Sequence, residues 1–209
     1  MKKKMIVIVD MVEGFVNFGN LADRGINRIV PATVALVKSG IENGDVVVAF
    51  KDTHAPDDVE FQDYPPHCVR GTSECELIPE LRPFEEQMIV IEKNTTNGFK
   101  TAEFRKLIEE NDFDEISVAG CCTDICVANF LEGLHEYLQN AGRKTKISVM
   151  ANAVDTFNAP NHNADEVNLK YLKRFATDYN AKLILPSASG KSHTKGVEND
   201  KTKKSGKSL

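Results

Sequence analysis

The 209-residue chain contains no tryptophan, no Cys-x-x-C pair and no internal repeat, and none of its apolar runs approaches the ~18 residues of a membrane span. Without such a run, no membrane partner is expected. Its five cysteines are odd in number, and Cys121, Cys122 and Cys126 crowd one short segment. That usage suits a reducing compartment, expected to be the cytoplasm, better than a disulfide framework. The basic start Lys2-Lys3-Lys4 resembles the n-region of a signal peptide, but the apolar run behind it stops at Asp10, as a first strand would. The net charge of −5 is unevenly spread: six lysines against Glu198 and Asp200 leave residues 187–209 at +4 and the remainder at −9. A body this acidic, with a tail free of interleaved aromatics, is not expected to bind nucleic acid. The Lys/Ser/Gly-rich tail has too little apolar surface to repay ordering and is expected to be disordered.

What is present is a regular alternation of short β-branched runs with longer helical patterns, the signature of a parallel sheet covered on both faces. Strands are expected near Met5–Asp10, Asp45–Phe50, Met88–Glu92, Glu115–Ala119, Lys146–Met150 and Ala181–Leu185. Helices are expected near Asn27–Ile41, Ala102–Glu110, Thr123–Asn140 and Asn163–Tyr179, the first ending at an αL stop, Asn43-Gly44. The fold class is therefore α/β, a three-layer doubly wound domain over residues 1–186 with a mostly parallel six-stranded sheet. Between Lys51 and Pro79 no long period exists, only Pro, Asp, His and Gly punctuation, and a connection of that length is usually functional.

Open sheets of this class bind ligands beyond the carboxyl ends of their strands. Those positions hold Asp10, Asp52, His54, Lys93 and, past Gly120, Cys126 at the start of a helix. Singly, Asp10 could cap a turn and Lys93 could be a solvated charge. Jointly they supply a proton acceptor, a cation and a thiol nucleophile. The helix start is expected to favour the thiolate, lowering the thiol pKa. In the irregular segment Asp52 and His54, two apart on an extended stretch, point the same way, and His67 would complete two imidazoles and a carboxylate with positions left open, the pattern of a catalytic metal site. Cys68 and Cys75 fit no common zinc spacing. His135, His162 and His193 match no motif and read as surface residues.

Ile8-Val9-Asp10 with Phe15, Asp52-Thr53-His54, Pro65-Pro66-His67-Cys68-Val69-x-Gly71-Thr72, Lys93 and Gly120-Cys121-Cys122-Thr123-Asp124-Ile125-Cys126-Val127 occur in the order of a known family. The chain resembles the nicotinamidase/pyrazinamidase branch of the isochorismatase-like cysteine hydrolases. That resemblance implies a catalytic triad of Asp10, Lys93 and Cys126, and one divalent metal, zinc, manganese or iron, on Asp52, His54 and His67. It places Glu60 where some relatives have a fourth ligand, direct or through water. It also implies a cis peptide before Cys122, an oxyanion hole from the N–H groups of Cys122 and Cys126, and a pyridine ring held between Phe15 and Tyr64. The implied substrate is nicotinamide, in NAD salvage, with pyrazinamide as a second one. The alternatives are an amidase of N-carbamoyl or ureido compounds and a non-enzymatic thiol sensor. The oligomeric state is left open, a homo-oligomer included.

Overall fold

The computed structural model describes residues 2–185; the expectation of a disordered tail from residue 187 lies outside them. Six strands form one sheet among the described residues: β1 (Lys4–Val9), β2 (Val46–Asp52), β3 (Ile89–Lys93), β4 (Glu115–Cys121), β5 (Lys146–Asp155) and β6 (Lys182–Ile184). Their order is β3-β2-β1-β4-β5-β6 and every pairing is parallel, where the sequence left room for a mixed sheet. The helices are a single turn α1 (Glu13–Val16), α2 (Val30–Asn43), α3 (Ala102–Glu109), α4 (Cys126–Asn140) and α5 (Ala164–Asp178).

The alternation along β1 builds the layers. Met5, Val7 and Val9 enter one buried cluster with Phe50, Phe104 and Phe130, while Ile6 and Ile8 enter the other with Met11, Ile26 and Val37. Both faces of the strand are buried, which is why it reads as a continuous apolar run. The chain grows outward from β1 to β3, then returns to place β4 on the other side of β1. That reversal opens a crevice at the carboxyl ends of β1 and β4.

Gly120 is required at this point. Its φ is +118°, and a Cβ there would lie 2.0 Å from the Val9 carbonyl oxygen. The close approach lets β1 and β4 leave the sheet side by side, with the β4–β5 register shifting between Val118 and Gly120.

Element ends differ from the sequence reading by three residues or more in three places. The helix expected from Asn27 begins as a 3-10 turn, Arg24–Ile29, capped by Asp23, with α2 starting at Val30 next to Pro31 and stopping at Gly44 in αL. The helix expected from Thr123 starts at Cys126, because Thr123 N–H bonds to Asp155 O at 2.9 Å and Ile125 N–H to Cys122 O at 3.1 Å, folding residues 123–125 into a turn. Strand β5 runs on to Asp155, where the sequence suggested an end near Met150.

Candidate active site

Asp52 and Lys93 are register partners at the last positions of β2 and β3. Asp10 follows β1 at φ 51°, its N–H bonded to Phe50 O at 3.2 Å. All three side chains are buried. Lys93 Nζ stands 2.7 Å from Asp52 Oδ1 and 2.8 Å from Asp10 Oδ2. Asp52 accepts a hydrogen bond from Lys93, and Asp10 pairs with the same ammonium and also feels a hydrogen bond from Cys126. One ammonium thus serves two carboxylates, and Asp10 keeps acceptor capacity for a further proton.

Burial pushes the Asp10 carboxyl up; the Lys93 charge pulls it back and Asp52 adds to the rise, leaving it at about 6. Burial would raise Asp52 as well, but the Lys93 charge and hydrogen bonds from His54 and His67 reverse this and hold it well below the usual carboxylate range. For Lys93 burial works against the charge, and the surrounding anionic groups overcome it, so it stays an ammonium.

Cys126 opens α4, where the N-cap, Ile125, offers no side-chain cap. Val127 N–H bonds to Cys122 O at 3.1 Å, and the Cys126 N–H, in the first turn, has no intrahelical partner. The thiol differs from the sequence expectation. Burial drives its pKa well up, and the opposing Lys93 charge only partly offsets that. The resting group is a thiol, so its use as a nucleophile requires proton transfer to a neighbour. The Cys121–Cys122 peptide is cis, as the resemblance implied.

His54 Nε2 and His67 Nε2 lie 2.9 and 3.2 Å from Asp52 Oδ2. Ligand atoms of Asp52, His54 and His67 all fall within 4.8 Å of one another, and all three residues are buried. His67 Nδ1 is 2.8 Å from Pro65 O and His54 Nδ1 is 3.2 Å from Asp58 Oδ2. Those outer contacts aim both Nε2 atoms at Asp52, the usual way a protein orients imidazole ligands. Two imidazoles and one carboxylate so placed fit a divalent cation. Phe61, not singled out from sequence, packs against both rings at 5.3 and 5.5 Å. Glu60 stands outside the cluster. It lines the cavity, and burial raises its pKa.

A cavity of about 320 Å³ lies above this floor and takes in Asp52, His67, Cys122, Cys126, Phe15 and Tyr64. That is near the small end of ligand pockets. Phe15 and Tyr64 approach the His67 ring at 5.7 and 6.2 Å. Its remaining wall includes Phe157 and Asn158, which sequence reasoning missed. So was the role of His162: it is half-buried, not a surface residue, and bonds Asp124 at 2.8 Å. The partners are 38 positions apart, and only Asp124 sits in a recognisable block. His135 is also half-buried, 5.3 Å from Tyr179, and His193 lies outside the described residues.

Comparison with known proteins agrees with this architecture. The family model for the isochorismatase domain matches residues 4–178, and the chain belongs to that family. It is 35% identical over 141 residues to Nicotinamidase 1 of Arabidopsis thaliana, a match covering 60% of this chain and 57% of that protein. The chain thus spans little more than half the length of that relative. The crystal structure of nicotinamidase/pyrazinamidase PncA from Bacillus subtilis superposes with a TM-score of 0.75 at 28% identity, over 87% of this chain and 98% of the other. N-carbamoylsarcosine amidase from Thermoplasma acidophilum gives 0.71 at 27% identity, over 87% and 95%. The fold alone therefore does not choose between their substrates.

Proposed function

We propose that this member of the isochorismatase family is a metal-dependent nicotinamidase, converting nicotinamide to nicotinate and ammonia through a thioester on Cys126, with pyrazinamide as a second substrate. The observation that carries the reading is the joining of two sites through Asp52: one carboxylate oxygen meets Lys93 of the nucleophile's charge cluster, and the other meets His54 and His67. The nicotinamidase names of the relatives support the same choice. A ureido amidase needs only the triad, and a thiol sensor needs neither Asp10 nor Lys93.

Asp52, His54 and His67 would hold zinc, manganese or iron, whose Lewis acidity would anchor the pyridine nitrogen. The chain's own residues perform the acyl transfer. Asp10, ionised above about pH 6, accepts the Sγ proton of Cys126 as the sulfur attacks the carboxamide carbon. Lys93 remains charged beside Asp10 and limits the build-up of negative charge on the buried floor. Backbone N–H groups of Cys122 and Cys126 receive the oxyanion, contacts worth roughly 2.7–4 kcal/mol per donor in other enzymes. Asp10 then gives its proton to the leaving nitrogen, and ammonia departs as the thioester forms. Water that loses a proton to Asp10 opens the thioester, releasing nicotinate, and the thiol is restored. Phe15 and Tyr64 supply aromatic surface for the ring.

The test is ammonia release from nicotinamide and from N-carbamoylsarcosine, before metal stripping, after it, and after re-addition of zinc, manganese or iron. Nicotinamide turnover should stop on stripping and return with at least one metal. No release from nicotinamide with any of the three overturns the reading, as does turnover of N-carbamoylsarcosine alone by stripped protein.

A further inference from the structure

The loop after β5 carries an arrangement that the acyl-transfer chemistry does not use. Asp124, in the turn before α4, accepts hydrogen bonds on both oxygens: from Thr156 Oγ1 at 2.6 Å and from His162 Nε2 at 2.8 Å. The other imidazole nitrogen, Nδ1, lies 2.9 Å from the Phe157 carbonyl oxygen. Two backbone hydrogen bonds of 2.9 Å between Ala159 and His162 close the loop, and Asn158 N–H ties it to Asp23 across the cavity mouth at 2.7 Å.

Both partners of the His162 ring are acceptors only, so both ring nitrogens must donate. This geometry favours the doubly protonated ring, an imidazolium. Burial opposes that charge, but the hydrogen bond and charge of Asp124, the carboxylate facing the ring, raise its pKa. The imidazolium lies flat on Phe157, with ring centroids 4.1 Å apart and planes inclined by 4°. A face-to-face stack is poor for two neutral aromatic rings, whose quadrupoles repel, and good for a cation over a π face. Phe157 in turn lines the same cavity as Cys126 and Tyr64.

We propose that Phe157, clamped by the His162–Asp124 pair, is a specificity-determining wall of the substrate cavity that selects planar aromatic amides over aliphatic ones. This rests on the amide-hydrolase reading above and adds a substrate contact to it. Phe157 touches the ring of the substrate; His162 and Asp124 are positioning residues. Asp124 lies two residues before Cys126, so one short turn fixes the wall relative to the nucleophile.

Two measurements test it. In ¹⁵N-resolved NMR of the full chain at pH 7, His162 should carry protons on both nitrogens; one neutral, unprotonated nitrogen overturns the clamp. Nicotinamide affinity is then measured by calorimetry in zinc-loaded Cys126→Ala protein, alone and combined with wall variants. Phe157→Ala, Phe157→Leu and His162→Ala should each weaken binding, by roughly tenfold at most. Phe157→Leu keeps apolar bulk, so its loss separates stacking from misfolding. His162→Arg, planar and donating only, should restore affinity. In the parent enzyme Phe157→Leu should raise KM for nicotinamide more than KM for acetamide, which has no ring to stack. Parent-like nicotinamide affinity in Phe157→Ala and Phe157→Leu overturns the wall alone. Absence of nicotinamide binding to the Cys126→Ala protein itself overturns the wall and the nicotinamidase reading together.

Discussion

Asp10, Asp52, Lys93 and Cys126 sit where strands of one parallel sheet end or the next helix begins, whereas Phe15, Tyr64 and Phe157 hang from the segments between them. Parallel ladders on both sides of β1 set the floor's distances, and Gly120, too close to Val9 for any side chain, holds β1 against β4. The wall is set by side-chain bonds between remote loops, such as Asp124 to His162. On the proposed reading, such a division puts chemistry on the part held by backbone ladders and selection on the part held by side-chain bonds. Damage to the floor should therefore cost turnover and stability together, and damage to the wall should cost affinity alone.

The largest effect is expected at Lys93. Lys93→Met leaves Asp10 and Asp52 buried without their cation, a loss of about 3–5 kcal/mol measured by urea unfolding. Turnover of nicotinamide should fall by roughly 10²–10⁴-fold. Adding Asp10→Asn to Lys93→Met should return part of the stability and none of the activity. If Lys93→Met unfolds like the parent protein, the floor is not the coupled unit described.

A second expectation concerns pH. The Asp10 carboxyl is raised to about 6, so the proton-accepting carboxylate is present above that pH and lost below it. In kcat/KM for nicotinamide this should appear as an acid limb near pH 6, falling about tenfold per pH unit below it. A profile flat down to pH 4.5 would remove Asp10 as the base. The smallest effect is expected at the wall: Phe15→Ala should raise KM roughly two- to tenfold with kcat nearly intact. An equal fall in kcat would place Phe15 with the floor.

The same division decided what could be read from the sequence. Strand-end positions are fixed by local pattern, since a β-branched run followed by a polar residue marks the ladder's end. Asp10, Asp52 and Lys93 were legible for that reason, and the alternation of runs led directly to the layered sheet. The Asp-x-His spacing likewise brought His54 and Asp52 together, and the Pro-Pro-His-Cys block brought His67. Phe157 and His162 carry no such signal. Asn158, next to Phe157, bonds Asp23 across 135 residues, His162 bonds Asp124 across 38, and only folding reveals the pairing. The thiol of Cys126 was misjudged for a related reason: the helix start is visible in the sequence, whereas the burial that raises its pKa is not.

The central claim is that nicotinamide is cleaved through an acyl thioester on Cys126. Hydroxylamine competes with water for such a thioester and, on attacking its carbonyl carbon, releases the hydroxamate and regenerates the thiol. Nicotinamide turnover in rising hydroxylamine should therefore yield nicotinohydroxamate at the expense of nicotinate, with one ammonia per product. Nicotinate as the sole product at every hydroxylamine concentration, with ammonia still released, would contradict the account.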